Sequence, residues 1–167
     1  FNAIREALKG ADVGSIELTV NGVETLCAEA FLECTQLKSI NLPNVKSIGQ
    51  SAFYDCCNME AVNAPNATSI GDMAFVSCSR LRKVTLGNIS KAGTEIFYFC
   101  DTRSVIDLVL SGDQRKMSES DKYTETGWEP DPDGEDYKNS LEHRNCDFLG
   151  YRFKSISCGD RIYYLYS

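Results

Sequence analysis

An internal repeat constrains the fold of this chain more than any other feature of its sequence. Cysteine recurs four times at a constant step, and a phenylalanine lies three residues before each of these cysteines. Residues at equivalent positions of successive repeats are called a column here. Independent columns that share one period indicate a solenoid, in which each unit packs only on its neighbours. The two columns are Cys34, Cys56, Cys78 and Cys100, and Phe31, Phe53, Phe75 and Phe97.

Each unit contains one strand with a single buried face. Ser39–Leu42 and Lys83–Leu86 alternate polar and apolar residues, as a half-buried strand does. Ser47–Gly49 predicts a turn whose apolar residue, Ile48, packs into the core as an anchor. The glycine of this turn recurs in the next two units. Ser51–Cys56 predicts one short helical turn whose Phe and Cys point inward. A single unit offers no partner for these apolar residues, so stacking on a neighbour must bury them.

The period also places the strands and gives the fold class. The first strand is placed at Glu17–Val20, because Leu18 and Val20 precede Ile40 and Leu42 by one full period. The sequence therefore predicts a leucine-rich-repeat solenoid, a right-handed superhelix with a parallel β-sheet of about five strands. The two apolar strand columns are Ile40, Val62, Val84 and Ile106, and Leu42, Ala64, Leu86 and Leu108.

Three segments are expected along the chain. Residues 1–25 form an N-terminal cap, a helix from Asn2 to Lys9 followed by the first strand. Residues 26–110 carry the repeats, and residues 111–167 form an acidic loop and a β C-terminal cap. This last cap is a hairpin of Phe148–Ser157 and Arg161–Tyr166, joined around Gly159-Asp160, with Trp128 packed against it. Such caps cover the core that an open solenoid would expose.

The repeat consensus I-G-x-x-A-F-x-x-C-x-x-L-x-x-V-x-L-P resembles the BspA-like, or Treponema-type, leucine-rich repeat. The match is clearest from Ile48 to Val62 and from Ile70 to Leu86, and it covers residues 26–108. The resemblance implies a curved solenoid on a secreted or surface-anchored protein, mostly of host-associated bacteria. It also implies adhesion to host matrix proteins or other cells, and it supplies no catalytic motif.

The periodic cysteines are interpreted as a buried ladder. Stacked equivalent side chains have parallel Cα–Cβ bonds, whereas a disulfide needs them to converge. Disulfides and a metal or redox array stay open as alternatives at this stage. Cys146 and Cys158 lie twelve residues apart and can form a bridge if the protein is exported. The turn Glu129–Glu135 resembles a calcium loop only in part, so a solvated acidic turn is preferred.

The charge balance limits the partners. The chain has 17 basic and 24 acidic residues, and a net charge of −7 disfavours nucleic acid and anionic lipid. No apolar run is long enough for a transmembrane helix. No cofactor, metal or catalytic residue is assigned, because His143 is the only histidine and no nucleophile motif accompanies it.

We therefore expect a monomeric, non-catalytic module, secreted or at the cell surface, that binds an unknown protein or surface polymer. A carbohydrate-recognition protein is the first alternative, and an enzyme with its site in the C-terminal piece near His143 is the second. The outward residues of the strands are the candidate binding surface. They are Lys38, Asn41, Glu60, Asn63, Arg82, Thr85 and Asp107.

Overall fold

The computed structural model of the chain describes residues 1–111, 147–148, 151–158 and 161–164. Two short helices and thirteen strands lie in these ranges. They are α1 (Asn2–Leu8), β1 (Ile16–Thr19), β2 (Thr25–Leu26), β3 (Leu37–Asn41), β4 (Ser47–Ile48), β5 (Ala61–Ala64), β6 (Ser69–Ile70), β7 (Lys83–Leu86), β8 (Lys91–Ala92), α2 (Thr102–Val105), β9 (Asp107–Leu110), β10 (Asp147–Phe148), β11 (Tyr151–Arg152), β12 (Ser155–Cys158) and β13 (Arg161–Tyr164).

The main sheet confirms the predicted solenoid. Its strand order is β1-β3-β5-β7-β9-β12-β13, and all pairs except the last are parallel. The first five strands are the five expected from the repeat. The C-terminal piece adds β12 as a sixth parallel strand and β13 as an antiparallel edge.

A second parallel sheet lies where the sequence predicts only a turn with an apolar anchor. The two-residue strands β2, β4, β6 and β8 form it in that order, again one from each unit. Leu26, Ile48 and Ile70 occupy its inward positions and are buried, so the anchor prediction is right and the strand pairing is new. The solenoid therefore has a sheet on two of its sides.

The segment that carries the Phe and Cys of each unit, called here the turn segment, is a run of tight turns. Within it, Tyr54 N–H donates to the Ser51 carbonyl at 3.1 Å, as a helical turn requires, but no longer helix follows. Instead, backbone N–H groups donate to carbonyls of the next unit. Phe31 N–H donates to the Ala52 carbonyl and Phe53 N–H to the Ala74 carbonyl, both at 2.8 Å. Two residues per unit adopt a left-handed backbone, which redirects N–H groups toward that neighbour. They are Glu29, Glu33, Ser51, Asp55, Met73, Ser77, Glu95 and Phe99, with φ between 51° and 59°.

The register of the last repeat differs from the constant period that the sequence predicts. Val84 pairs with Leu108, and Lys83 pairs with Asp107, so this step is two residues longer than the step from Val62 to Val84. Ile106, expected in the Val84 column, is buried just before β9 instead. The two extra residues lie where the short helix α2 replaces the two-residue turn that precedes the strand in earlier units.

A column of stacked aromatic rings forms the centre of the core. Phe31, Phe53, Phe75 and Phe97 stack nearly parallel, with ring centroids 5.5, 5.3 and 5.2 Å apart. Phe1 closes the N-terminal end edge-on at 5.6 Å, and Phe153 closes the C-terminal end edge-on at 5.4 Å. Both terminal pieces of the chain thus contribute a ring to the ends of the column.

The predicted first strand of the C-terminal hairpin, Phe148–Ser157, is divided among three strands, β10, β11 and β12. β11 pairs with β10, whereas β12 continues the main sheet and pairs with β13. Phe153, between β11 and β12, turns into the core and separates them. Several sequence predictions fall on residues outside the described ranges. They concern the acidic segment 113–136, the turn 129–135, Trp128, His143, Cys146, Gly159-Asp160 and Tyr166.

Candidate binding surface

The outward residues of the main sheet form one continuous surface, called here the strand face. They alternate with the buried residues of each strand, because side chains of a strand point to opposite faces. From β1 to β9 the strand face consists of Glu17 and Thr19, Ser39 and Asn41, Ala61 and Asn63, Lys83 and Thr85, and Asp107 and Val109. None of these ten side chains is aromatic.

The structure aligns three of the predicted binding residues. Asn41 pairs with Asn63, and Asn63 pairs with Thr85, so one polar row crosses three strands. Asn63 Nδ2 donates to Asn41 Oδ1 at 2.8 Å. Since each amide keeps further donor and acceptor capacity, the row remains able to bind a polar partner.

Asp107 does not belong to this row, although the constant period of the repeat predicts it there, one step after Thr85. The longer last repeat places Val109 opposite Thr85 and shifts Asp107 beside Lys83. There Asp107 holds the C-terminal piece, because Ser155 Oγ donates to its Oδ1 at 2.6 Å. Lys154 Nζ lies 3.3 Å from its Oδ2. The main contacts of Asp107 are therefore within the fold.

The remaining predicted residues lie where the chain enters the strands, a row called here the entry edge. Lys38, Glu60 and Arg82 belong to it, and their charges alternate in sign. Their backbones are linked, since Glu60 N–H donates to the Lys38 carbonyl at 2.7 Å and Arg82 N–H to the Glu60 carbonyl at 2.9 Å. Lys38 Nζ also lies 3.7 Å from Glu17 Oε1. Exposed pairs of this kind add little stability, so these charges are available to a partner.

Sequence reasoning missed one exposed aromatic pair. Phe99 is 71 % exposed, Tyr98 is 49 % exposed, and their ring centroids are 4.2 Å apart. In the column of Phe99 the earlier units carry Asp55 and Ser77. This change from a polar to an aromatic residue is the sequence feature that could have indicated the exposed pair. It is recognisable only once the position is known to face solvent in every unit.

The cysteine column forms a ladder of thiols that donate to backbone carbonyls. Cys56 Sγ donates to the Phe31 carbonyl at 3.0 Å, and Cys78 Sγ donates to the Phe53 carbonyl at 3.1 Å. Burial raises the pKa of both thiols above the ordinary value. All four periodic cysteines are free, and the buried ladder is confirmed for Cys34, Cys56 and Cys78, whereas Cys100 is only partly buried. The side chain of Cys158 and all of Cys146 lie outside the described residues.

The raised pKa of Cys56 predicts a loss of stability at alkaline pH. Above the ordinary thiol pKa of 9.0 the unfolded chain ionises at this residue while the folded chain stays protonated, so rising pH favours unfolding. From pH 8 to pH 10 the unfolding free energy of the wild type should fall by about 1.4 kcal/mol more than that of Cys56→Ala. Urea unfolding under reducing conditions measures this, and Cys27→Ala, which removes an exposed thiol, is the matched control. Equal pH dependence in the wild type and Cys56→Ala would contradict the buried ladder.

Among the described ranges, no group of three or more His, Cys, Asp or Glu side chains is placed to hold a metal ion. In the same part of the chain, no helix is long and apolar enough to span a bilayer. The chemistry that the described surface offers is hydrogen bonding by amides and hydroxyls, together with paired charges of both signs.

A family model described as a BspA type leucine-rich repeat region matches residues 5–110 in six copies. The searches of curated proteins and of solved structures give no match.

Proposed function

Because the chain belongs to the BspA-type leucine-rich repeat family, we propose that it is a non-catalytic module that binds a protein partner outside the cell. The family supports a role in protein interaction or at a surface. Export, adhesion and binding through the strand face are the finer parts of this proposal.

The strand face is the observation that carries the proposal. Its central row of Asn41, Asn63 and Thr85 is uncharged and polar, and the entry edge beside it carries charges of both signs. Protein surfaces match such a mixture of amides, hydroxyls and charges. A sugar ring, in contrast, is commonly held on an aromatic face, and the strand face from β1 to β9 has no aromatic side chain.

The dimensions of the sheet define how the partner must bind. Five strands spaced about 4.8 Å apart, each about 13 Å long, give a strand face of roughly 300 Å². A stable interface buries about 800 Å² on each partner. The partner must therefore extend beyond the strand face, and the entry edge beside it offers the charges of Lys38, Glu60 and Arg82.

Carbohydrate binding is the second candidate, and the exposed pair of Tyr98 and Phe99 is the observation that favours it. The pair lies in the turn segment and not on the strand face, so a glycan would bind a different side of the solenoid. This gives the two candidates separate binding sites and separate mutations.

A binding screen of the intact chain tests the proposal. The labelled chain is applied to immobilised extracellular-matrix proteins and, in parallel, to a glycan array. We expect saturable binding to at least one protein that persists after enzymatic removal of the protein's glycans. Binding to a discrete sugar alone, abolished by Phe99→Ala, would overturn the protein-binding proposal and support the second candidate.

A further inference from the structure

The N-terminal end of the solenoid carries an open strand edge. β1 is the first strand of the main sheet and β2 is the first strand of the second sheet, so both sheets end on this side. Ile16 N–H donates to the Gln36 carbonyl and Val20 N–H to the Asn41 carbonyl, both at 3.0 Å. In a parallel sheet, the N–H and C=O groups of one residue hydrogen-bond to the strand on one side, and those of the next residue to the strand on the other side. The N–H and C=O groups of Glu17 and Thr19 therefore face away from β3.

Apolar surface accompanies this edge. Leu18 is only half-buried, whereas Ile40 and Val62, which align with it in the next two strands, are fully buried. Val13, which precedes β1, is 66 % exposed. The inner strands bury such residues because a further strand lies on each side, whereas the described part of the chain supplies β1 with a strand on one side only.

The N-terminal helix covers another part of this end. Phe1 packs on Phe31, and Arg5 Nη1 donates to the Glu29 carbonyl at 2.8 Å. Both contacts are with the turn segment of the first repeat. The helix α1 thus closes the aromatic column and leaves the outer edge of β1 without a strand partner among the described residues.

We propose that the outer edge of β1 binds an extended peptide strand of a partner protein, parallel to β1. This site is the backbone edge of β1, so it adjoins the strand face, to which the side chains of Glu17 and Thr19 also belong, but it does not rest on the function proposed for that face. An extended backbone supplies C=O and N–H groups at the alternation that Glu17 and Thr19 present. Alternate apolar side chains of the peptide cover Leu18, and a basic side chain lies beside the carboxylate of Glu17, which is 69 % exposed.

Charge favours a basic peptide over a second copy of the chain. The chain has a net charge of −7, and a second copy would bring another Glu17 carboxylate to the same edge. A peptide that carries Lys or Arg places opposite charge there, as Lys38 does from the β3 side at 3.7 Å. Like charges close to each other across a strand pair are destabilising, so the acidic edge selects against self-pairing.

A fluorescent peptide with the sequence of residues 35–43, TQLKSINLP, is the probe, because its strand alternates apolar residues and carries one lysine. Fluorescence anisotropy with the intact chain should show saturable binding below about 1 mM. Thr19→Pro removes the outward N–H but leaves the bonds of Leu18 and Val20 to β3, so binding should weaken at least about tenfold. Thr19→Val keeps that N–H and is the matched control, expected to bind as the wild type does.

Methylated peptides test the same contact without altering the protein. In the parallel register, N-methylation at Ile40 of the probe blocks its bond to the Glu17 carbonyl, whereas N-methylation at Asn41 faces away. We expect the first peptide to lose binding and the second to retain it. Equal binding of both, equal binding by Thr19→Pro and Thr19→Val, or no saturable binding overturns the proposal. Self-association of the wild type that Thr19→Pro abolishes would assign the edge to a second copy and also overturn it.

Discussion

Replacing Phe53 by alanine is expected to lower the free energy of unfolding by about 3–5 kcal/mol. Phe53 is fully buried, and its ring stacks on Phe31 at 5.5 Å and on Phe75 at 5.3 Å. The substitution removes two ring contacts and leaves a cavity in the middle of the aromatic column. Because domains of this size are stable by only about 5–15 kcal/mol, the loss is a large share of the total. Equilibrium urea unfolding, followed by far-UV circular dichroism, measures it.

Phe99→Ala is the matched control, because Phe99 is the same residue type in the turn segment of a later unit but is 71 % exposed. Its removal should change the unfolding free energy by less than about 0.5 kcal/mol. Phe53→Leu should lose less than half as much as Phe53→Ala, because most of the volume is retained. A loss below about 1 kcal/mol for Phe53→Ala would show that the stacked column is not the centre of the core.

Replacing Gly71 by alanine is expected to cost about 3 kcal/mol, although it adds only one methyl group. A Cβ atom at Gly71 would lie 2.5 Å from the Gln50 nitrogen and 2.8 Å from the Gly49 carbonyl carbon. Both are backbone atoms, which cannot rotate away as a side chain can. The two units must therefore separate, and this breaks the stacking that buries the core. Thermal unfolding compared with the wild type gives the measurement.

Gly10→Ala controls for the general effect of replacing glycine. A Cβ at Gly10 meets no atom within 4 Å, so this variant should unfold within about 1 kcal/mol of the wild type. If Gly71→Ala and Gly10→Ala unfold at the same temperature, the close approach of neighbouring units is disproved.

The inward columns could be predicted because every inner unit repeats the same packing problem. Phe53 and Cys56 recur in the next unit as Phe75 and Cys78, since each must fit the same place in the stack. The glycine column at Gly71 was also visible, but its cause was not. The sequence shows that a side chain is missing and does not show that a neighbouring backbone occupies its place.

The second sheet and the left-handed turns could not be predicted from local pattern. A strand such as Ser69–Ile70 is too short to show an alternation of polar and apolar residues. Met73 and Glu95 adopt a positive φ, a conformation normally expected of glycine or asparagine. A hydrogen bond to the next unit holds Met73 there, since Met73 N–H donates to the Thr94 carbonyl at 2.9 Å. Such stabilisation depends on contacts between units.

The positions of the outward residues on the sheet could be predicted wherever the spacing of the repeat is constant, and the prediction is wrong where the spacing changes. Asn41, Asn63 and Thr85 align because one full period separates each from the next. Asp107 shifts because the last step is longer by two residues, and it then binds Ser155 and Lys154 of the C-terminal piece. Nothing in the spacing indicated that this piece would continue the main sheet.

A single pair of variants tests the central claim, that the strand face binds the partner. Asn63 and Thr68 are exposed polar residues of the same unit, the first on the strand face and the second next to the second sheet. Both are replaced by arginine, and binding to the protein identified in the screen is titrated. We predict at least about tenfold weaker binding for Asn63→Arg, whose long side chain blocks the central row, and unchanged binding for Thr68→Arg. Equal affinity of the two variants, or weaker binding by Thr68→Arg alone, would contradict the account.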